Sequence, residues 1–285
     1  MKWIEPQKFM KKFAVTEFPQ PEIVQLRHPV LLCHGYGAMI NLVRPAPLHE
    51  TCMRLRSHGV ISFAPNVVPY STISVRAEQW SERIHQLQKQ YGFKKLNIVA
   101  HSMAGLDMRC AITNMDMAGS VASLTTVATP HRGASLAEIV LTAPGTVREK
   151  LGELFDWFGE NMFPGQKSNS VGAVEQLTRK YVTEEFNPAT PDMEDILYFS
   201  FSAASGKGTN EPLNPIYRFQ NQLIYQHEGL NDSFVSVESA KWGNHLGTAP
   251  ISHLEQIEFQ VGKERKEKIG KFWFDVIRNL EEKGL

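Results

Sequence analysis

Ala100-His101-Ser102-Met103-Ala104-Gly105 lies between an apolar run and a helical pattern. A serine at such a junction sits on a sharp strand-to-helix turn, whose crowding demands small residues two places before and two places after it. Ala100 and Ala104 meet that demand. The turn would lift the Ser102 hydroxyl to the C-terminal edge of a sheet. There the N-terminal N–H groups of the next helix favour developing negative charge. A serine so placed is a candidate nucleophile for acyl transfer, a reaction that also needs two N–H donors aimed at the oxyanion. Met103, directly after the serine, offers one. The second is expected from His34-Gly35-Tyr36-Gly37, about 65 residues upstream, with the Tyr36 N–H as candidate; the flanking glycines let the backbone turn inward.

A serine nucleophile needs a base, and the base needs a carboxylate that fixes its tautomer. Behind an elbow of this kind the acid comes next along the chain and the histidine last. Downstream of Ser102 stand His131, His227, His245 and His253. His131 precedes any candidate acid. Asp232, in Gly229-Leu230-Asn231-Asp232-Ser233-Phe234-Val235, occupies a turn-like segment that suits a carboxylate on a loop after a strand. His227 precedes it, which leaves His245 and His253. Asp192 and Asp195 are alternative acids, but they fall before a strand. His101 adjoins Ser102 and should point away from it.

The elements that must carry these groups alternate. Val30–Cys33, Ile61–Ala64, Leu96–Ala100, Val121–Thr129 and Leu197–Ser202 read as short apolar strands. Between them, helices are expected near Leu48–Ser57, over Ser74–Tyr91 with Trp80, Ile84, Leu87 and Tyr91 on one face and Gly92 ending it, and just after Ser102. This pattern predicts an α/β fold with a mostly parallel central sheet and helices on both faces. From Ser135 to about Asp195 no strand is expected. Leu151, Leu154, Phe155, Phe158 and Met162 form an apolar stripe at helical spacing, and a further helix is expected over about Val171–Phe186. We read 135–195 as a helical insertion within a single domain spanning 1–285. Phe234–Val237 reads as extended chain or loop. A closing helix over Arg265–Glu282 carries Ile269, Phe272, Trp273, Val276, Ile277 and Leu280 on its apolar face.

The 285 residues are 42% hydrophobic and 21% charged, which suits a large packed core and not a disordered chain. Thirty Lys and Arg balance thirty Asp and Glu, so no basic footprint for nucleic acid is present. No apolar run is long enough to span a membrane. Glu5, Pro6, Lys11 and Lys12 interrupt the N-terminus, which does not read as a secretory signal. A cytoplasmic location is therefore expected, with a mature exported form as the alternative. Cys33, Cys52 and Cys110 are too few for a disulfide framework and read as buried free thiols.

Taken in order, the motifs resemble the bacterial triacylglycerol lipases of the Pseudomonas type, within the α/β-hydrolase superfamily. Val30–Gly37 resembles the strand and His-Gly oxyanion loop of that family, and Ala100–Gly105 its nucleophile elbow. Ala128-Thr129-Pro130-His131-Arg132-Gly133 resembles its Pro-His loop. Tyr198–Ser202 resembles the strand before its acid, and Asn231-Asp232 with Val235 its acid loop. Asn244-His245-Leu246-Gly247 and Ser252-His253-Leu254-Glu255 resemble two His-Leu sites. The second carries the catalytic histidine in the family, which implies His253, with His245 in reserve. The resemblance implies the α/β-hydrolase fold and a triad of Ser102, Asp232 and His253, with Tyr36 and Met103 as the oxyanion hole. It also makes 135–195 the lid, which implies medium or long acyl esters as substrates and transient contact with lipid interfaces. Acyltransferase, thioesterase and polyester-cleaving activities, and a non-catalytic binding protein, are the alternatives on the same fold. The chain departs from the family at Ala100 and Ala104, where glycines are commoner, and at Ser233, where glycine is usual. Neither the family's disulfide nor its secretion signal is evident. Many members hold a structural calcium near the histidine loop through two aspartates. Glu255 matches one position, and no aspartate lies between Asn210 and Gly229 to match the other, so no cofactor or metal is predicted.

Overall fold

The computed structural model describes residues 22–35, 47–142, 144, 169–258 and 262–285. Among them, β1 (Val30–Cys33), α1 (His49–Ser57), β2 (Ser62–Phe63), α2 (Ile73–Tyr91), β3 (Leu96–His101), α3 (Ala104–Asn114), β4 (Val121–Val127) and α4 (Ser135–Thr142) alternate along the chain. After α5 (Ser170–Glu175) come β5 (Leu197–Ala203), α6 (Arg218–Glu228), β6 (Asn244–Ala249) and α7 (Lys263–Glu282). The strands form one sheet in the order β2-β1-β3-β4-β5-β6, and every neighbouring pair is parallel.

Parallel strands need crossover helices, and those helices cover both faces. Accordingly β1, β3 and β4 are buried along their whole length. Their side chains alternate between two cores. Leu31, Cys33, Ile98 and Ala100 join Trp80 and Ile84 of α2 and Leu106 of α3 on one face. Val30, Leu32 and Val99 join Leu55 of α1 and Trp273, Ile277 and Leu280 of α7 on the other. Gly92 stops α2 with φ 77°, a left-handed conformation that only glycine takes without strain. Cys33, Cys52 and Cys110 are free and buried.

Several elements differ from the sequence reading. The strand expected over Ile61–Ala64 is reduced to Ser62–Phe63, and Ile61 is 65% exposed. The helix expected over Val171–Phe186 is broken. It stops at Gln176, and Thr178 restarts the chain by accepting a hydrogen bond from the Tyr181 N–H, after which a helical run with a π turn at Val182–Phe186 continues to Ala189. Phe234 and Val235 lie in a loop, with a helical turn at Val237–Ala240. Two elements escape the pattern altogether. β6 is a half-exposed edge strand reading NHLGTA, with too few apolar residues to register. α6 buries Gln220 and Asn221 beside Ile224, so its inward face is largely amide. The stripe Leu151–Met162 and Tyr36 lie outside the described residues.

The burial pattern separates two isoleucines that the sequence reads alike. Ile277→Ala, at a fully buried site on α7, should cost about 2–5 kcal/mol of unfolding free energy. Ile61→Ala should stay within about 0.5 kcal/mol of the parent. Urea unfolding of the two variants checks both values.

Candidate active site

In a parallel sheet, sites form where the strand order reverses, beyond the carboxyl ends of the strands. Here β1 continues to β2 on one side, while β3 leads away through β4, β5 and β6 on the other. The switch point lies between β1 and β3, and Gly35 and Ser102 follow those two strands.

Ser102 stands at φ 58°, a strained conformation for a residue with a side chain. Its backbone is held from three directions. Its N–H donates to Val127 O at 2.8 Å, and its carbonyl accepts from Thr129 Oγ1 at 2.7 Å and from the Gly105 N–H at 3.1 Å. The turn is crowded, as expected from the small residues around it. Ala100 and Ala104 are fully buried, and a Cβ at Gly105 would lie 2.2 Å from Thr129 Oγ1. From the other side, a Cβ at Gly35 would lie 2.6 Å from the Ser102 Cβ, 2.9 Å from His101 O and 3.1 Å from Met103 N. The loop leaving β1 therefore passes directly over the elbow. Met103 caps α3, so its N–H lies outside the helical ladder, at the helix end that favours negative charge.

Arg76 fixes that loop from beneath. Its fully buried guanidinium donates to His34 O at 2.7 Å, to Val68 O at 2.6 Å and to Asp107 Oδ2 of α3 at 2.7 Å. Burial pushes the Asp107 carboxyl up to about 6, against the opposing pull of Arg76. His34 Nε2 accepts from the Val67 N–H at 3.3 Å, so Nδ1 carries the proton and donates to Gly35 O at 3.0 Å. Burial first, and Arg76 next, hold His34 at about 3, and the ring is neutral.

Of the four downstream histidines, His253 meets the serine. His253 Nε2 lies 2.9 Å from Ser102 Oγ, and Nδ1 lies 2.6 Å from Asp232 Oδ2. Asp232 Oδ1 accepts from the Phe234 and Val235 N–H groups at 3.0 and 2.8 Å, and Oδ2 also accepts from Gln256 Nε2 at 3.0 Å. These donors and the imidazole fill the acceptor sites of the carboxylate. The acid loop does not follow a strand directly, as the sequence suggested; it follows α6. The buried amides of α6 hold it, Gln220 donating to Ser233 O at 2.7 Å and Asn221 to Asn231 Oδ1 at 2.7 Å. Ser233, where the family resemblance expects glycine, does take a left-handed φ of 88°. Phe234 stacks on His253 with ring centroids 4.9 Å apart.

The remaining candidates lie elsewhere. His245, on β6, sits within 3.1 Å of Ser200 Oγ and 3.4 Å of Ser202 Oγ on the neighbouring strand. His131 is buried against Thr126 Oγ1 and Arg109 and stacks on Trp242. Asp192 accepts from Trp242 Nε1, and Asp195 is exposed. The His101 ring packs 4.7 Å from that of His253. Sequence reasoning missed Arg76, Asp107 and Gln256, which lack a local motif.

The resemblance implies a calcium ion held by two acidic side chains near this histidine loop. Glu255 is present, and the structure supplies Glu211 where no aspartate was found. Both carboxylates are taken, however, by Arg265, and Glu211 also by Lys268. The residues do not fit a calcium ion there, and among the described residues no cluster of three His, Cys, Asp or Glu side chains could hold a metal.

Comparison with known proteins accords with this fold. No protein-family model matches the chain. It is 30% identical over 217 residues to triacylglycerol lipase 2 of Saccharomyces cerevisiae, a match covering 72% of this chain and 60% of that protein's length. It is 24% identical over 295 residues to a triacylglycerol lipase of Pseudomonas fragi, covering 92% of this chain and 99% of the relative. Among solved structures it resembles a metagenomic carboxyl esterase, with a TM-score of 0.73 and 18% identity over 95% of this chain and 80% of the other. It also resembles the mature form of a Bacillus licheniformis lipase, with a TM-score of 0.64 and 19% identity over 93% and 94%. The chain has the α/β-hydrolase fold and is similar to triacylglycerol lipases. In this chain the sheet is all parallel among the described residues, a stricter arrangement than the mostly parallel one expected.

Two predictions follow from the packing of the site. Gly35→Ala should lower kcat by about 100-fold or more in a folded protein, because loop and elbow cannot both keep their places; steady-state kinetics beside circular dichroism checks this. The second concerns acid. Burial, chiefly, keeps His34, His101 and His131 below their ordinary titration range. Each takes up a proton on unfolding below about pH 6.5, so the protein should lose stability as pH falls from there, by up to about 1.4 kcal/mol per pH unit for each histidine. His131→Gln should flatten that slope in urea unfolding measured from pH 7.5 to 5.

Proposed function

We propose that the chain is a serine hydrolase that cleaves carboxylic esters of medium or long acyl chains through Ser102, His253 and Asp232. The observation that carries this reading is the unbroken chain of contacts from Ser102 Oγ to His253 Nε2, 2.9 Å, and from Nδ1 to Asp232 Oδ2, 2.6 Å, at the switch point of the sheet. The names of the yeast and Pseudomonas relatives, both triacylglycerol lipases, support the ester substrate.

Each group has one role. With Nδ1–H donating to Asp232, His253 Nε2 presents a lone pair to the serine hydroxyl. Ser102 Oγ attacks the ester carbonyl carbon while its proton passes to Nε2. The carbonyl π pair moves onto oxygen, where the Met103 N–H, and by sequence position the Tyr36 N–H, receive it. As the C–O bond to the alcohol breaks, Nε2 returns the proton to the leaving oxygen, and an acyl-serine remains. Water repeats the sequence and releases the acid. Asp232 keeps its negative charge throughout and stabilises the imidazolium.

The apolar residues Leu151, Leu154, Phe155, Phe158 and Met162 support an acyl substrate and transient contact with a lipid surface. Among the described residues no helix is long and apolar enough to cross a membrane.

Hydrolysis of p-nitrophenyl esters from acetate to palmitate tests the reading. Activity should peak at medium or long chains. Ser102→Ala should lower kcat by about 10⁴-fold or more while the protein stays folded. A pure Ser102→Ala sample that kept its turnover would remove the assignment, and activity confined to acetate and butyrate would remove the acyl-chain preference.

A further inference from the structure

The histidine loop is tied to α7 by charge. Glu255, two residues after His253, accepts hydrogen bonds from the Ser252 N–H at 2.7 Å and from Ser252 Oγ at 2.9 Å, which closes the turn that bears His253. The Arg265 guanidinium grips the same carboxylate with two parallel bonds, Nε to Oε1 and a terminal nitrogen to Oε2, each 2.8 Å. Its other terminal nitrogen reaches Glu211 Oε2 at 2.9 Å, and Lys268 Nζ reaches that oxygen at 2.7 Å.

Glu211 belongs to a second loop. Its carbonyl accepts from the Gly206 N–H at 3.0 Å, and Ser205 next to it donates to Asn231 O beside the catalytic acid at 3.0 Å. One side chain of α7 therefore spans the loop that carries the base and the loop that braces the acid. The three groups are only 20–24% exposed. A planar guanidinium matches a carboxylate with both nitrogens, so this contact is stronger and more directional than a surface ion pair. The charges also close. Two cations from α7 meet two carboxylates, the same balance that a divalent ion would bring. Burial raises the Glu255 carboxyl, yet Arg265 and Ser252 hold it below the usual range.

We propose that Arg265 is a positioning residue for His253, bridging Glu255 and Glu211 together with Lys268 so that the histidine loop is held without a divalent cation. This rests on the reading of His253 as the base. The bridge acts on turnover through ring placement, since none of its members touches Ser102.

The test compares the parent chain with Arg265→Met, Arg265→Lys and Glu211→Gln, each with EDTA and with calcium chloride. Three quantities are read: kcat and KM on a p-nitrophenyl ester, the melting temperature, and the low-field proton resonance of His253 Nδ1–H in its bond to Asp232. The parent should be indifferent to chelator and calcium. Arg265→Met should lose about tenfold or more in kcat with KM within about twofold, and should broaden the resonance below its melting temperature. Arg265→Lys should recover part of both. Glu211→Gln should shift both in the same direction by less, and it decides the matter if Arg265→Met does not fold. The proposal is overturned if the folded variants keep the parent kcat and a sharp resonance, or if EDTA inactivates the parent and calcium restores it. An inactive parent would count against the assigned reaction, while the resonance would still report whether the bridge positions the ring.

Discussion

Ser102 occupies a backbone conformation that side chains avoid, and its turn is crowded at Gly35 and at Gly105. Strain of this kind costs on the order of 1–3 kcal/mol, and it persists because surrounding groups leave the turn no alternative. Val127, Thr129 and Gly105 hold its backbone polar groups. Gly35 on one side and Gly105 on the other are placed where a single methyl would collide. The geometry of the candidate active site follows from this packing. The hydroxyl stands above the sheet edge, the loop from β1 lies against the elbow, and His253 reaches the hydroxyl at 2.9 Å.

Asp232 and His253 arrive on loops, and loops are precise only when something fixes them. The structure fixes them with buried polar groups. Amides from α6 tie the Asn231–Ser233 backbone, and Gln256, whose carbonyl accepts from Trp273 Nε1 of α7 at 2.9 Å, presents its amide to Asp232. Arg76 and Asp107 tie the β1 loop to the nucleophile helix. Networks of this sort specify one arrangement when fully satisfied. They explain why a helix with so little apolar surface as α6 packs against the body.

Legibility in the sequence follows the same division. The central strands are apolar along their length because parallel strands are buried on both faces, so they stand out as runs. Ser102 stands out because its turn needs small neighbours. β6 and α6 do not, since an edge strand is half polar and the inward face of α6 carries amides. Val171–Phe186 has the composition of one helix, and the break comes from the Thr178 hydroxyl competing for the backbone. His245 and His253 carry the same His-Leu dipeptide. Their difference is conformational: one side chain lies along a strand beside Ser200, and the other heads a turn closed by Glu255. The ion bridge joins residues 54 positions apart, from Glu211 to Arg265, and has no spacing that a sequence could display.

The distribution of charge has a consequence for the proposed catalysis. Cations are close at hand, but Arg76 is committed to Asp107, and Arg265 and Lys268 to Glu211 and Glu255. The groups that donate to Asp232 beside His253 are two backbone N–H groups and an amide, all neutral. They satisfy the carboxylate without cancelling its charge, so that charge stays available for the proposed step in which His253 takes the serine proton. The neighbouring ring obeys the same logic. Burial first, and His253 second, hold His101 below its ordinary titration range, which keeps it neutral beside the base. An imidazolium at His101 would oppose the one that forms at His253. With both conditions met, the proposed mechanism develops positive charge on a single ring, whose Nδ1 lies 2.6 Å from the Asp232 carboxylate.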